Sequence, residues 1–124
     1  MLTILIWGKT IMANANLLAI LIAAAAGFLV GGLWYGPLFG KAWMAENGFT
    51  EEGLKNANML KIYGLTFAFS VLSAVFLGHL LAFFDTDPRS TMMISTGIAL
   101  GYIVPAIGTN YLFSRKSGKL FAID

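Results

Sequence analysis

The sequence carries three long stretches without a charged side chain: 31 residues between Lys9 and Lys41, 23 between Lys61 and Asp85, and 25 between Arg89 and Arg115. A hydrocarbon core about 30 Å thick is crossed by roughly 20 helical residues, each rising about 1.5 Å. Every stretch is therefore long enough to span a bilayer. Backbone amides in hydrocarbon must be satisfied internally, and a single run achieves this as a helix. The period-2 alternation of barrel strands is missing. The predicted spans are Ala15 to Trp34, Tyr63 to Phe84 and Met92 to Phe113. The implied fold is all-α, a polytopic transmembrane helix bundle forming a single domain over residues 1–124. Only 11% of residues are charged and 58% are hydrophobic, whereas soluble domains average about 25% charged.

The first run is longer than one span. Met12 would itself make a sensible start, so Met1 to Ile11 are readable as an upstream extension. The alternative for the first helix is a cleavable signal peptide with Lys9 as its charge. Apolar sequence continues through Phe28, Leu29, Val30 and Leu33, which disfavours it. The first connection, Gly36 to Ile62, is the one sizeable polar segment and is predicted to carry a short interfacial helix. Thr50 is its N-cap, with Glu51 and Glu52 in the first turn where the helix dipole favours anions. Gly53 occupies the position where a capping box would place Glu. The second connection, Asp85 to Arg89, is short and contains Pro88, which predicts a helical hairpin.

With three crossings, the N-terminus and second connection share one side, holding Lys9 and Arg89. The first connection and the C-terminal tail share the other, with Lys41, Lys55, Lys61, Arg115, Lys116 and Lys119. Six against two makes the second side cytoplasmic under the positive-inside rule, in a multi-pass protein of the cell membrane. Trp34, Tyr35, Trp43, Tyr63 and Tyr111 fall where interfacial aromatic anchors belong. The scattered basic residues do not form the aromatic-interleaved patch that nucleic acid requires.

Lipid tails are as apolar as leucine, so helices in a bilayer associate by close approach and polar contacts. Small residues at spacing four mark candidate packing faces: Ala23, Gly27 and Gly31 in the first helix, Ser70, Ala74 and Gly78 in the second, Gly97 and Gly101 in the third. Pro105 removes one backbone hydrogen bond and predicts a kink beside Gly108. The expected partners are the lipid bilayer and either further copies of the chain or another membrane protein.

No acidic or basic residue lies inside the three predicted spans. Proton-coupled carriers normally need an intramembrane carboxylate, and the first helix offers only Asn14 and Asn16 near its edge, which argues against drug and proton antiport. The sole histidine, His79, has neither cysteine nor an in-span carboxylate to complete a metal site. Ser70 and Ser73 lack a partner base, and no nucleophile, base and oxyanion set is visible. Thr109, Asn110 and Tyr111 suit a helix-to-helix hydrogen bond. No catalytic, cofactor-binding or metal-binding residue is assigned. The leading expectation is a non-enzymatic structural or accessory membrane subunit; the alternative is a channel or carrier for a neutral or apolar solute, using Pro105 and the polar end of the third helix.

Gly32-Leu-Trp-Tyr-Gly-Pro-Leu-Phe-Gly-Lys-Ala-Trp-Met44 resembles the signature of a family of small, mainly bacterial membrane proteins known as domain of unknown function 1761. Phe49-Thr-Glu-Glu, Asn58-Met-Leu-Lys-Ile, Tyr111-Leu-Phe113 and Lys119-Leu-Phe-Ala-Ile-Asp124 are also similar to its pattern. The resemblance covers roughly Ala15 to Asp124 and implies architecture without an activity. It also implies a fourth span after Lys119 to Asp124, so the expectation is either a truncated sequence or a protein that works with three helices.

Overall fold

The computed structural model describes residues 16–124, which are helical with no strand among them. The upstream segment Met1 to Ile11, Asn14 and the predicted first residue of span one, Ala15, lie outside the described residues. The helices are α1 (Leu17–Leu33), α2 (Gly40–Asn47), α3 (Glu51–Lys55), α4 (Met59–Phe83), α5 (Pro88–Ile98), α6 (Val104–Phe113) and α7 (Gly118–Ile123). π-helical turns at Trp34–Leu38 and Ala99–Ile103 extend α1 and join α5 to α6. Among the described residues, three helical stretches are long and apolar enough to cross a membrane: Leu17–Leu38, Met59–Phe83 and Pro88–Phe113.

The span ends differ from the sequence expectation by a few residues, each for a local reason. Asn16 caps α1, its Oδ1 accepting from the Ala19 amide at 3.0 Å, so the helix starts at Leu17. Helix α4 begins at Met59, ahead of the expected Tyr63, and takes in Lys61, whose stem can lie along apolar surface while its ammonium reaches water. Helix α5 begins at Pro88, ahead of Met92. Asp87 Oδ1 accepts from the amides of Arg89 and Ser90 at 2.8 and 3.1 Å, and Pro at the first helical position gives up no needed donor. Pro88 thus opens the helix and does not belong to the turn. The Ser90 hydrogen bonds hold the Asp87 carboxyl below its usual range.

The first connection folds as two helices, where one was expected. Thr50 caps the second as predicted, its Oγ1 accepting from the Gly53 amide at 3.1 Å. The chain reverses after α2 through Gly48 at φ 69, with Phe49 N–H on the Met44 carbonyl and Gly48 N–H on Ala45, a six-to-one and five-to-two closure. The same closure ends α4 with Asp85 at φ 47 and α6 with Arg115 at φ 52. Only the first has glycine to relieve the Cβ of left-handed strain.

Internal contacts sort the chain into two units. In the first, residues 16–29 with Leu60–Met93, α1 and α4 run antiparallel. Ile20 sits against Gly78, where a Cβ would come within 2.8 Å of Ile20 Cγ1. At the other end the Phe28 ring stands edge-on to Tyr63 and Phe67, with centroids 6.3 and 5.5 Å away. Ile20 and Ala24 are buried, so the α1 contact stripe steps by four through Ile20, Ala24 and Phe28. Along α4, Thr66 and Ser70 return their hydroxyls to the Ile62 and Thr66 carbonyls, and His79 Nδ1 lies 2.7 Å from the Val75 carbonyl oxygen.

The second unit comprises Val30–Met59 and Ile94–Asp124. Its backbone leaves helical geometry at Gly36 (φ −96, ψ −105), just before Pro37, where α-conformation is sterically disfavoured. Phe39 N–H reaches back five residues to the Trp34 carbonyl at 2.8 Å. Gly40 follows, buried, and a Cβ there would lie 2.5 Å from the Tyr35 carbonyl oxygen. Pro105 lies in the first turn of α6, and the proline-free π turn at Ala99–Ile103 precedes it. Gly40→Ala is expected to lower stability by about 1–3 kcal/mol, because the atom it strikes is backbone. Gly27→Ala, into open space, should leave stability unchanged or raise it by up to about 1 kcal/mol. Unfolding titrations of both variants in lipid micelles check the contrast.

Candidate functional site

The polar side chains of the second unit converge on the end of α7. Ser117 caps this helix, its Oγ accepting from the Leu120 amide at 3.0 Å. Its apolar side buries Leu120 and Ile123, at 2% and 8% exposure, while the Phe121 ring packs 5.8 Å from Tyr111 and against Gly108. This anchoring brings Ile123 and Asp124 to the break that follows α1. Trp34 Nε1 donates to the Ile123 carbonyl at 2.7 Å. Tyr35 Oη donates to Asp124 Oδ1 at 3.0 Å, and Trp43 Nε1 to the same oxygen at 3.1 Å. Tyr111 Oη donates to Asp124 Oδ2. The Asp124 carboxylate thus accepts from three neutral aromatic donors carried by three separate segments.

The π turn and Gly40 are what make this geometry available. A regular helix would send Tyr35 and Trp43 around the cylinder; the break at Gly36 turns the chain so that the two rings stand edge-on at 5.9 Å. Trp34 stacks at 4.4 Å on Phe39, and Trp43 leans on Phe49 at 5.6 Å. Each donor presents an apolar body and one polar tip, a combination suited to a membrane–water boundary.

Beside the cluster, Glu46 of α2 meets the start of α7. Ser117 Oγ donates to Glu46 Oε2 and Lys119 Nζ lies 3.1 Å from Oε1. These two contacts, the Ser117 hydrogen bond first, hold the Glu46 carboxyl below its usual range. Lys116 Nζ sits 5.0 Å above the Tyr111 ring. The first loop and the C-terminal tail, placed on one side of the membrane by counting crossings, are in direct contact.

Four of the five predicted anchors, Trp34, Tyr35, Trp43 and Tyr111, thus belong to one hydrogen-bonded cluster, and Tyr63 lies in the first unit against Phe28. Among the small-residue positions, Ala23, Ala74 and Gly78 line a shared groove in the first unit. Gly27, Gly31, Gly97 and Gly101 have nothing within 4 Å of a Cβ, and Ser70 is half-buried with its hydroxyl on Thr66. Asn110 bonds Ser114 on its own segment at 2.9 Å, where a helix-to-helix contact was expected; Tyr111 makes that contact, to Asp124. Among the described residues no three His, Cys, Asp or Glu side chains form a metal-binding group. Sequence reasoning missed Asp124, Glu46, Ser117 and Lys119. The available signal was that both ends of the cluster fall in segments resembling one family pattern.

A model for a family described as a protein of unknown function, DUF1761, matches residues 18–124. The chain belongs to this family. The DUF1761 match runs through both halves of the aromatic–carboxylate cluster, from Trp34 to Asp124. No curated protein and no solved structure matches the chain.

Replacing Asp124 by Ala leaves three donors without their acceptor and should cost about 1–3 kcal/mol, with a red-shifted indole emission as Trp34 and Trp43 gain water. Fluorescence-monitored unfolding in lipid micelles checks both. The Glu46 contact has a pH signature. Its folded-state carboxyl titrates below the ordinary 4.5, so its stabilisation is fully present above that value and is lost as pH falls through the lower folded pKa. Glu46→Gln should remove that acid-limb loss from a pH series of melting temperatures.

Proposed function

We propose that this DUF1761 chain is a non-enzymatic structural or accessory subunit of the cell membrane, assembling with further copies of itself or with another membrane protein. What supports the reading is the surface left on the spans. Ile20 and Ala24 are the buried apolar residues of the long helices, while Leu29, Phe69, Phe76, Leu100 and Ile103 are all at least half exposed. In a bilayer such surface is covered by lipid or by other helices, and small residues decide where backbones can approach. Gly97 and Gly101 present such a face on the third span, with nothing within 4 Å of a Cβ at either position. The polar groups that do come together satisfy one another, and as a clamp between loop and tail they fit a structural role better than a reactive one.

In this arrangement the first loop and the tail face the cytoplasm, and with Lys61 in the first turn of α4 that side carries six of the eight lysines and arginines. A second reading, a channel or carrier for a neutral or apolar solute, draws on the π turn at Ala99–Ile103 ahead of Pro105, since such turns recur at functional sites.

Crosslinking and native mass measurement in lipid should find species larger than one chain, and Gly97→Leu with Gly101→Leu should weaken them by about tenfold, or roughly 1.4 kcal/mol, without loss of helix. Monomers alone, with no co-purifying protein, would overturn the subunit reading. Solute release from proteoliposomes faster than from empty vesicles would favour the second.

A further inference from the structure

The groove of the first unit has a volume of about 370 Å³, within the roughly 300–1,000 Å³ range of small-molecule sites. Its lining changes character along its length. Ile20, Ala23, Ala74, Leu77, Gly78 and Leu81 supply an apolar surface, while Asn16, Asp85 and Thr86 bring an amide, a carboxylate and a hydroxyl to one end. The antiparallel run of α1 and α4 explains this gradient. Asn16 is the N-cap of α1, and Asp85 and Thr86 form the C-terminal closure of α4, so the polar residues gather where both spans leave the membrane.

We propose that this groove binds a phospholipid with a primary-amine headgroup, its acyl chain on the apolar surface and its ammonium at Asp85. A second copy of the chain is a poorer occupant, because a helix with side chains is about 10–12 Å across and the space is too small to seat one. A single acyl chain suits an apolar trough that opens on a polar end. Charge selects the headgroup. Asp85, Asp87 and Arg89 are the charged residues around this turn and sum to −1. Asp87 is engaged by the Arg89 and Ser90 amides and the Ser90 hydroxyl, and His79 on α4 bonds back to Val75. A primary ammonium carries three donors and no acceptor and is matched first by the Asp85 carboxylate, since the Asn16 side-chain oxygen already accepts from the Ala19 amide and the Thr86 hydroxyl pairs with Thr91 at 2.8 Å. A choline headgroup has no N–H to give, and a glycerol headgroup leaves phosphate as the sole charge, facing a carboxylate.

The site stands apart from how the chain assembles and is tested separately. The protein is reconstituted in nanodiscs containing equal phosphatidylethanolamine, phosphatidylcholine and phosphatidylglycerol, and retained lipid is weighed by native mass spectrometry. The ethanolamine lipid should be enriched over the choline lipid by up to about fivefold, the upper end for an exposed ion pair. Asp85→Asn should bring that ratio to one while total retained lipid stays constant. Ala23→Leu with Ala74→Leu should lower retention of all three lipids, with helix content checked by circular dichroism. Should the filled variant misfold, the Asp85 substitution decides alone, since it keeps the side chain's shape. Equal retention of the three headgroups, enrichment of the glycerol lipid, an ethanolamine preference that survives Asp85→Asn, or lipid-free dimers would overturn the proposal.

Discussion

The constraint on which the rest of the structure depends is that a backbone amide in hydrocarbon has no water to turn to. It makes helices of the charge-free runs, and it governs how they tolerate their prolines. Pro37 lacks an N–H, and the residue before it, Gly36, is pushed out of helical geometry. The ladder is not abandoned there: Phe39 N–H reaches one residue further back than usual, to Trp34. A widened turn also precedes Pro105 in the third span, where the ring would crowd the carbonyl four residues back, that of Gly101. A π turn keeps the backbone bonded by changing the register of bonding, even where, as at Gly36, one residue leaves helical geometry.

The first of these turns has a second consequence. It points Trp34, Tyr35 and Trp43 toward the tail, where Asp124 waits among aromatic donors. Indole and phenol suit the task because each gives one directed hydrogen bond and otherwise tolerates apolar surroundings. A lysine in their place would have joined loop and tail by charge alone, with a flexible stem and a strongly hydrated head. Three donors from three segments fix the carboxylate's position, and with it the docking of α7 through Leu120 and Ile123.

The spans were legible in the sequence because absence of charge over 23 residues or more has few meanings. Their ends were less so, since Asn16, Lys61 and Asp87 act through caps and snorkelling that a charge-free criterion ignores. Thr50 was readable because capping is local. The aromatic cluster was readable only in part: Trp34, Tyr35, Trp43 and Tyr111 stood out by type and place, but nothing near them in sequence shows a partner 81 or 89 residues away. Asp124, a lone carboxylate in a short tail, looks like a solvated charge until Leu120 and Ile123 bury the helix that carries it. On α1 the small residues drew attention to Ala23 and Gly27, whereas the buried line runs through Ile20 and Ala24. An antiparallel partner is met by whichever face fits it, and residue size alone does not identify that face.

What remains is where a chain of this kind can respond to its surroundings. Spans Leu17–Leu38 and Pro88–Phe113 enclose charge only at Arg89, and Met59–Phe83 only at Lys61, each within a turn of its helix start. Charge inside the hydrocarbon is costly, and the long middles of these helices carry no lysine, arginine, aspartate or glutamate, while His79 is bonded to its own helix. Two carboxylate-bearing places outside the long helix middles are the turn with Asp85, Asp87 and Arg89 and the loop–tail cluster around Glu46 and Asp124. They differ in kind. In the cluster the carboxylates are consumed by internal donors, and for Glu46 this ties protonation to the fold's own stability. At the turn Asp87 is spent on capping, whereas Asp85 stands at the mouth of a groove. A carboxylate spent on the fold reports on the fold; one that borders a cavity can report on what enters it.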